Sequence, residues 1–134
     1  MDVHFIASFS VVTANLTEDR RLFLDTLGLP LGVPEGDEGS DYLFSEAIPG
    51  ARHFGVWPLR EAAQACVGTS SWPATHPVPQ ASVEFEVDDV AAAAAELQAA
   101  GHRLLHPVRT EPWGQVIARL QTPDGLLVGV CVTP

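Results

Sequence analysis

The sequence predicts an α+β fold made of two similar β-α-β-β-β modules, and three observations support this prediction. Residues 82–105 have the pattern of a strand, an acidic turn, a helix and a second strand. Residues 8–31 repeat that order, and subtracting 8 from 82 gives an offset of 74. The intervening residues 67–81 hold three prolines and several small polar residues, as linkers do. We therefore divide a single domain into module 1 (1–66), this linker, and module 2 (82–134).

The first strand of module 2 alternates polar and apolar residues with the period of two that a half-buried strand shows. Asp89 follows, and its carboxylate can cap a helix whose apolar stripe begins at Val90. Gly101 is placed to end that helix in a left-handed conformation. The rest of module 2 is predicted to hold strands at 103–105, 115–120 and 126–132, with a turn at 122–125.

Module 1 repeats this pattern with different residues. Its first strand is predicted at 4–13, and Asn15 and Glu18 then have the spacing of a capping box at the start of a helix. That helix is expected to end near Leu27, where a glycine and a proline begin a short strand. Two further strands, at 42–44 and 53–57, and a short helix from 59 to about 66 complete module 1.

Length and composition set the outer bounds on the class of protein. The chain has 134 residues, of which 46% are hydrophobic and 18% charged, as in a globular domain with a core. No run approaches the roughly 18 apolar residues of a membrane span, and the N-terminus lacks the basic start of a signal peptide, so we expect a cytoplasmic protein. The net charge of −10 disfavours nucleic acid and anionic lipid as partners; it favours cationic partners, or simply solubility. Cys66 and Cys131 are interpreted as reduced thiols rather than as a disulfide or a metal site.

Several stretches of the chain, taken with the repeat, resemble a known family. They are DTLGLPL, VEFEVDDVAAAAAELQAAG, EPWGQ and RLQTPDGLLVGV. Their order and spacing resemble the vicinal oxygen chelate superfamily, which includes glyoxalase I, extradiol dioxygenases, epimerases and bleomycin-resistance proteins. The resemblance implies a curved mixed sheet that forms a cup, with the helices outside, and it favours a homodimer. The EPWGQ loop is most similar to the bleomycin-resistance branch.

The resemblance also implies where a metal ion would bind. Its usual ligands are a histidine on the first strand of each module and a glutamate or histidine on later strands. In this chain those positions fall at Ser8, at Ser82, at Gly129, and near His53 or Phe54. A serine hydroxyl is a poor ligand for a divalent ion, and glycine offers no side chain at all. We therefore expect no metal and no other cofactor, with His53 as the one weak candidate for a metal ligand.

Other residues are expected to line the cup. Alternation along the two first strands predicts one shared face for Ser8, Ser10, Val12, Ser82, Glu84 and Glu86. Two carboxylates in a concave site could bind a cation, exchange protons or hold an amine. The alternative places Glu86 at a solvated mouth and Glu84 in a local salt bridge. His53 and Trp57 share one face of their strand and are expected to face the cup, where His53 is either a ligand contact or a structural histidine.

The three tryptophans are either core anchors or platforms for a planar ligand. Trp113, in the loop before a predicted cup strand, is the preferred ligand contact, whereas Trp72 is interpreted as a lid or an interface plug. Arg119 could hold an anion if it faces the cup. Three histidines show no spacing that brings them together and are interpreted as surface or loop residues: His76, His102 and His106.

Together these patterns favour a metal-free binding protein that sequesters a hydrophobic, aromatic or cationic small molecule in its cup. The predicted ligand-binding residues are Ser8, Ser10, His53, Trp57, Ser82, Glu84, Glu86, Trp113 and Arg119. The alternative is a lyase, isomerase or oxygenase with a non-standard metal site built from His53, Glu84 and Glu86. A third possibility is a paralogue whose cup has no known ligand.

Overall fold

The computed structural model describes residues 1–134 as a single mixed sheet with helices on both of its faces. The strands are β1 (Phe5–Thr13), β2 (Leu43–Ser45), β3 (Phe54–Pro58), β4 (Ala81–Glu86), β5 (Arg109–Thr110), β6 (Val116–Gln121) and β7 (Leu127–Val132). The helices are α1 (Leu16–Arg20), which continues as a π-helical segment (Arg21–Thr26), α2 (Leu59–Val67) and α3 (Val90–Ala99). The strand order β2-β3-β1-β4-β7-β6-β5 confirms the predicted α+β fold with a curved mixed sheet. None of the helices has the length and apolar character that crossing a membrane requires.

The repeat seen in the sequence is visible in the register of the sheet. The modules join edge to edge through the antiparallel pair β1 and β4, in which Phe9 lies opposite Val83. These two residues are also equivalent in the repeat, since 83 − 9 = 74. Gly55 and Gly129 show the same offset, 129 − 55 = 74, and they lie at equivalent points of β3 and β7, the parallel neighbours of β1 and β4. An approximate two-fold axis therefore passes through the Phe9–Val83 pair.

The helices begin at the predicted capping residues. Asn15 Oδ1 accepts a hydrogen bond from the Glu18 N–H at 3.3 Å, and Asp89 Oδ1 accepts one from the first turn of α3 at 3.0 Å. Gly101, with φ of 93°, follows α3 in the left-handed region that ends helices. The Glu18 carboxylate contacts Arg21 instead of reaching back, so the reciprocal half of the predicted capping box is not formed.

Two predicted short strands are reduced to isolated bridges. Gly32 bridges to Phe44 in module 1, and Leu104 bridges to Leu120 in module 2. The outer strand of module 2 is β5, which lies a few residues beyond the predicted one. Prolines lie close to both bridges, and because proline has no N–H to donate, it prevents a longer ladder there.

The outer face of the sheet carries the two module helices, as predicted. α3 packs there through Val90 and Ala94 against apolar residues of β6 and β7, among them Ala118. The π-helical continuation of α1 covers β3, where the ring centroids of Phe23 and Phe54 lie 5.7 Å apart.

The inner face is partly filled by α2, the helix that precedes the linker. Its buried residues are Ala62, Ala63, Ala65 and Cys66, whose small side chains allow a close approach to the sheet. Val12 and Leu127 pack against it from β1 and β7. One end of the cup is therefore closed by the chain itself, and we call the opposite end, where Glu84 is half-buried, the open end.

Candidate functional site

The inner face gathers most of the predicted site residues in register. One row across the sheet runs from Ser8 to Glu84, then to Gly129 and Arg119, because each residue is the cross-strand partner of the next. Directly paired residues point to the same side of a sheet. The predicted residues that the structure places on this face are Ser8, Ser10, His53, Trp57, Ser82, Glu84, Glu86 and Arg119. Trp113 lies in the loop before β6, and its side chain is 54% exposed.

A hydrogen-bonded group of three residues, which we call the Glu84 cluster, fixes the central carboxylate. Gln115 Nε2 donates to Glu84 Oε2 at 2.5 Å, and Trp113 Nε1 donates to Gln115 Oε1 at 2.9 Å. Gln115 is buried, whereas Glu84 is half-buried and its Oε1 makes no hydrogen bond within the chain. The local salt bridge that was the alternative prediction for Glu84 is absent, because the partner of its carboxylate is the neutral amide of Gln115. The cluster thus presents one fixed carboxylate oxygen that can accept a hydrogen bond from a ligand.

Glu86 shares the face but is already bonded to the chain's own residues. Its two oxygens accept from the backbone N–H of Thr133 at 3.1 and 3.2 Å, and one also accepts from the Thr133 hydroxyl. These contacts hold the residue that follows β7. Of the two predicted carboxylates, Glu84 is therefore the one with an acceptor oxygen that the chain does not use.

Module 1 contributes a second group, the tyrosine chain, which runs from Ser10 through Tyr42 and His53 to Glu46. Burial raises the pKa of Tyr42 well above its ordinary value, and a hydrogen bond with Ser10 offsets this only in part. The phenol therefore stays protonated, and its oxygen shares a hydrogen bond with His53 Nε2 at 2.5 Å. The other ring nitrogen of His53, Nδ1, faces Glu46 Oε1 at 3.5 Å. The chain leads from a buried hydroxyl to an exposed carboxylate.

The same residues form an aromatic wall. The Phe44 ring stacks on His53 with centroids 5.0 Å apart and planes 7° apart, and on Tyr42 at 5.7 Å and 12°. Tyr42 and Phe44 are not among the site residues predicted from the sequence. Alternation along the strand could have indicated them, because both flank the buried Leu43 and therefore point to the opposite face of the sheet.

The Arg119 side chain reaches from the row that contains Glu84 to α2, and it forms the Arg119 cluster with Arg109, Glu111 and His106. Arg119 Nη1 contacts Glu111 Oε1 at 3.4 Å, His106 Nε2 at 3.3 Å and the Ala65 carbonyl of α2 at 3.4 Å. Arg109 Nε donates to the same Glu111 oxygen at 2.5 Å. Burial lowers the pKa of His106, and a hydrogen bond to a backbone carbonyl opposes this in part.

The structure changes the expected surroundings of two residues in this region. His106 lies in a loop, which is one of the two predicted alternatives, but its side chain is buried against Arg119 instead of exposed at the surface. Trp57 lies under the Arg119 guanidinium, 5.7 Å from ring centroid to Cζ, and packs around α2 together with Trp72. Because α2 folds onto the inner face, both tryptophans belong to the packed end of the cup rather than to its open end.

Comparison with known proteins agrees with this architecture. Residues 33–130 match the family model described as Glyoxalase/Bleomycin resistance protein/Dioxygenase superfamily. The chain belongs to this superfamily. The predicted resemblance to the vicinal oxygen chelate fold is thereby confirmed. Among curated proteins, none matches the chain.

Solved structures of the superfamily show the same fold at low identity. A member from Vibrio splendidus 12B01 superposes with a TM-score of 0.61 at 16% identity, covering 96% of this chain and 99% of that one. A variant of Streptomyces coelicolor methylmalonyl-CoA epimerase in complex with 2-nitronate-propionyl-CoA gives 0.59 at 21% identity, covering 98% and 96%. Methylmalonyl-CoA epimerase from Mycobacterium tuberculosis gives 0.60 at 16%, covering 98% and 89%. Such identities establish the fold and leave the activity open.

The metal positions that the superfamily implies do not fit a metal ion in this chain. The two-fold register makes Gly55 the counterpart of Gly129, which replaces the predicted position near His53 or Phe54. Both first-strand positions are serines, so the four positions offer two hydroxyls and no imidazole or carboxylate. Nowhere in the chain do three His, Cys, Asp or Glu side chains come together to hold a metal ion. His53, Glu84 and Glu86 accordingly do not form such a group.

Proposed function

We propose that the chain is a small-molecule binding protein that holds a cationic, aromatic ligand at the open end of the inner face. The observation that supports this most is the Glu84 cluster, in which Gln115 fixes a half-buried carboxylate and leaves one of its oxygens free. Holding an acceptor in place before the ligand arrives reduces the entropy lost on binding.

The surroundings of Glu84 favour an organic cation over a neutral molecule. A carboxylate that is partly withdrawn from water interacts more strongly with an ammonium or amidinium than an exposed one does. The wall of Phe44 and His53 lies on the same face and can contact the apolar part of the ligand, and Ser8, the cross-strand partner of Glu84, offers a hydroxyl. The net charge of −10 also raises the local concentration of cations.

The proposal is tested with a pair of isosteres, benzamidinium and benzamide, titrated by tryptophan fluorescence and by calorimetry. We expect benzamidinium to bind about tenfold more tightly or better, and Glu84→Gln to abolish that preference. Glu35→Gln, in an exposed acidic loop, makes the same change in charge away from the site and should preserve the preference. Equal binding of the two compounds, or equal effects of the two variants, would mean that no specific cation site exists at Glu84.

An enzyme that moves a proton is the second candidate, and the tyrosine chain is the observation that favours it. A line of polar contacts from Ser10 through Tyr42 and His53 to the exposed Glu46 could carry a proton between the inner face and solvent. Such an enzyme would exchange a carbon-bound hydrogen of its ligand with solvent deuterium, and Tyr42→Phe would stop the exchange. A ligand recovered unlabelled from the wild-type protein would leave binding as the function. The homodimer and the cytoplasmic location stay predictions, which light scattering and cell fractionation would test.

A further inference from the structure

We propose that the inner face contains a second subsite, an oxyanion site at the free Nε–Nη2 edge of Arg119 that takes a carboxylate or a phosphate group. This inference goes beyond the cation site at Glu84 and does not depend on it. Three features of the Arg119 cluster support it: its charge balance, the use of the guanidinium, and a second donor without a partner.

The charges of the cluster do not balance. Arg109 and Arg119 contribute two positive charges, and Glu111 contributes one negative charge. His106 adds no compensation, since a histidine is either neutral or positive. The side chains of Arg119 and Glu111 are only 1% and 2% exposed, and Glu111 is the only carboxylate within salt-bridge distance of Arg119. Arg109 is 37% exposed, whereas Arg119 is withheld from water and shares its single carboxylate with Arg109, so a further counter-charge beside Arg119 would stabilise it.

Two of the three nitrogens of the Arg119 guanidinium make no hydrogen bond within the chain. All three hydrogen bonds of Arg119 go through Nη1, and their lengths of 3.3 to 3.4 Å are at the long end for hydrogen bonds. Nε is buried without any partner. Nε and Nη2 form the edge of the guanidinium fork that binds two oxygens of one carboxylate or phosphate in parallel. The edge best suited to an oxyanion is therefore the edge that the chain leaves free.

A second hydrogen-bond donor, among the residues that pack around α2, also lacks an acceptor. The indole Nε1 of Trp72 is buried without a partner, and Trp72 packs around α2 with Trp57, over whose ring Arg119 lies. A water molecule would satisfy a donor but would leave the surplus charge. An oxyanion satisfies donors and charge together. The Arg109 side chain of the same cluster is 37% exposed, so the cluster reaches the solvent-accessible surface.

The test is thermal unfolding of the full chain in chloride, acetate and phosphate at constant ionic strength and pH. We expect the midpoint to rise saturably with acetate or phosphate but not with chloride. Saturation by acetate alone identifies a carboxylate as the anion, and saturation by phosphate alone identifies a phosphate. Arg119→Lys keeps the charge but loses the fork, so its apparent affinity for the anion should fall about tenfold or more. Arg103→Lys, an exposed arginine outside the cluster, should behave as wild type.

Arg119→Met separates binding from folding. It removes the surplus charge, while Glu111 keeps Arg109 as its partner, so the variant should fold and show no saturable response to either anion. The proposal fails if neither anion saturates, or if wild type and Arg119→Lys respond equally. Benzamidinium binding is measured in chloride and depends on Glu84, so failure of the cation site and failure of the oxyanion site give different results.

Discussion

Substituting Gly55 by alanine probes the part of the inner face where the packing is tightest. A Cβ at this position would lie 2.5 Å from Tyr42 Oη and 2.8 Å from Ser10 Oγ, closer than real Cβ contacts occur. The phenol would have to move, and its hydrogen bond to His53 would be lost with it. Overpacking costs about 1–3 kcal/mol and a lost hydrogen bond about 1 kcal/mol, so we expect a loss of about 2–4 kcal/mol in the free energy of unfolding.

The equivalent position of module 2 supplies the matched control. A Cβ at Gly129 would lie 3.0 Å from the Ile117 Cδ1 and 3.2 Å from Glu84 Cγ, both in flexible side chains, so Gly129→Ala should cost about 1 kcal/mol or less. Urea unfolding of both variants measures the difference. Combining Gly55→Ala with Tyr42→Phe should recover part of the loss, because the nearest clashing atom is removed. Equal destabilisation by the two alanines, or no recovery in the double variant, would refute the tight contact between Tyr42 and Gly55.

Three further predictions concern metal, pH and thiols. Dialysis against EDTA should leave the thermal midpoint unchanged, because the superfamily's metal positions lack donors; one tightly held metal ion per chain, found by mass spectrometry, would contradict this. Burial lowers the pKa of His106, so the unfolded chain binds more protons near pH 6.5 and stability should fall as the pH drops from about 7 to about 5.5. His106→Gln should flatten this slope in urea titrations, and an unchanged slope would exclude His106 as its source. Burial raises the pKa of Cys66 to about 11 and of Cys131 to about 12, so neither should react with a thiol reagent at about pH 8 until the chain unfolds; rapid labelling of the native protein would disprove their burial.

The sequence predicted those parts of the site that depend on local pattern. Alternation with a period of two placed Ser8, Ser10, Ser82 and Glu84 on one face, because the strand alone determines where successive side chains point. The repeat also contains information that the prediction did not use. Subtracting its offset of 74 from 129 gives 55, so the counterpart of Gly129 in β7 is Gly55 in β3 and not His53 or Phe54.

The remaining parts depend on contacts between distant segments. Gln115 lies 31 residues from Glu84 along the chain, and no periodicity in either strand indicates that they bond. Arg119 lies 54 residues from the α2 carbonyl that it contacts. That contact exists only because α2 folds back onto the inner face. The same tertiary packing surrounds Trp57 and His106 with residues that the local sequence pattern does not indicate. Such placements follow from tertiary packing, which outweighs local pattern.

The most direct test of the cation site is an NMR titration of the ¹⁵N-labelled chain with benzamidinium, following the side-chain signals of the Glu84 cluster. We predict that the Trp113 indole N–H and the Gln115 side-chain amide shift together and saturate, because both belong to the hydrogen-bonded chain that ends at the carboxylate. The side-chain amide of Gln98, exposed on the outer helix α3, serves as the control and should not move. Saturable shifts at Gln98 with none at Gln115, or no saturable shift anywhere, would contradict binding at the inner face.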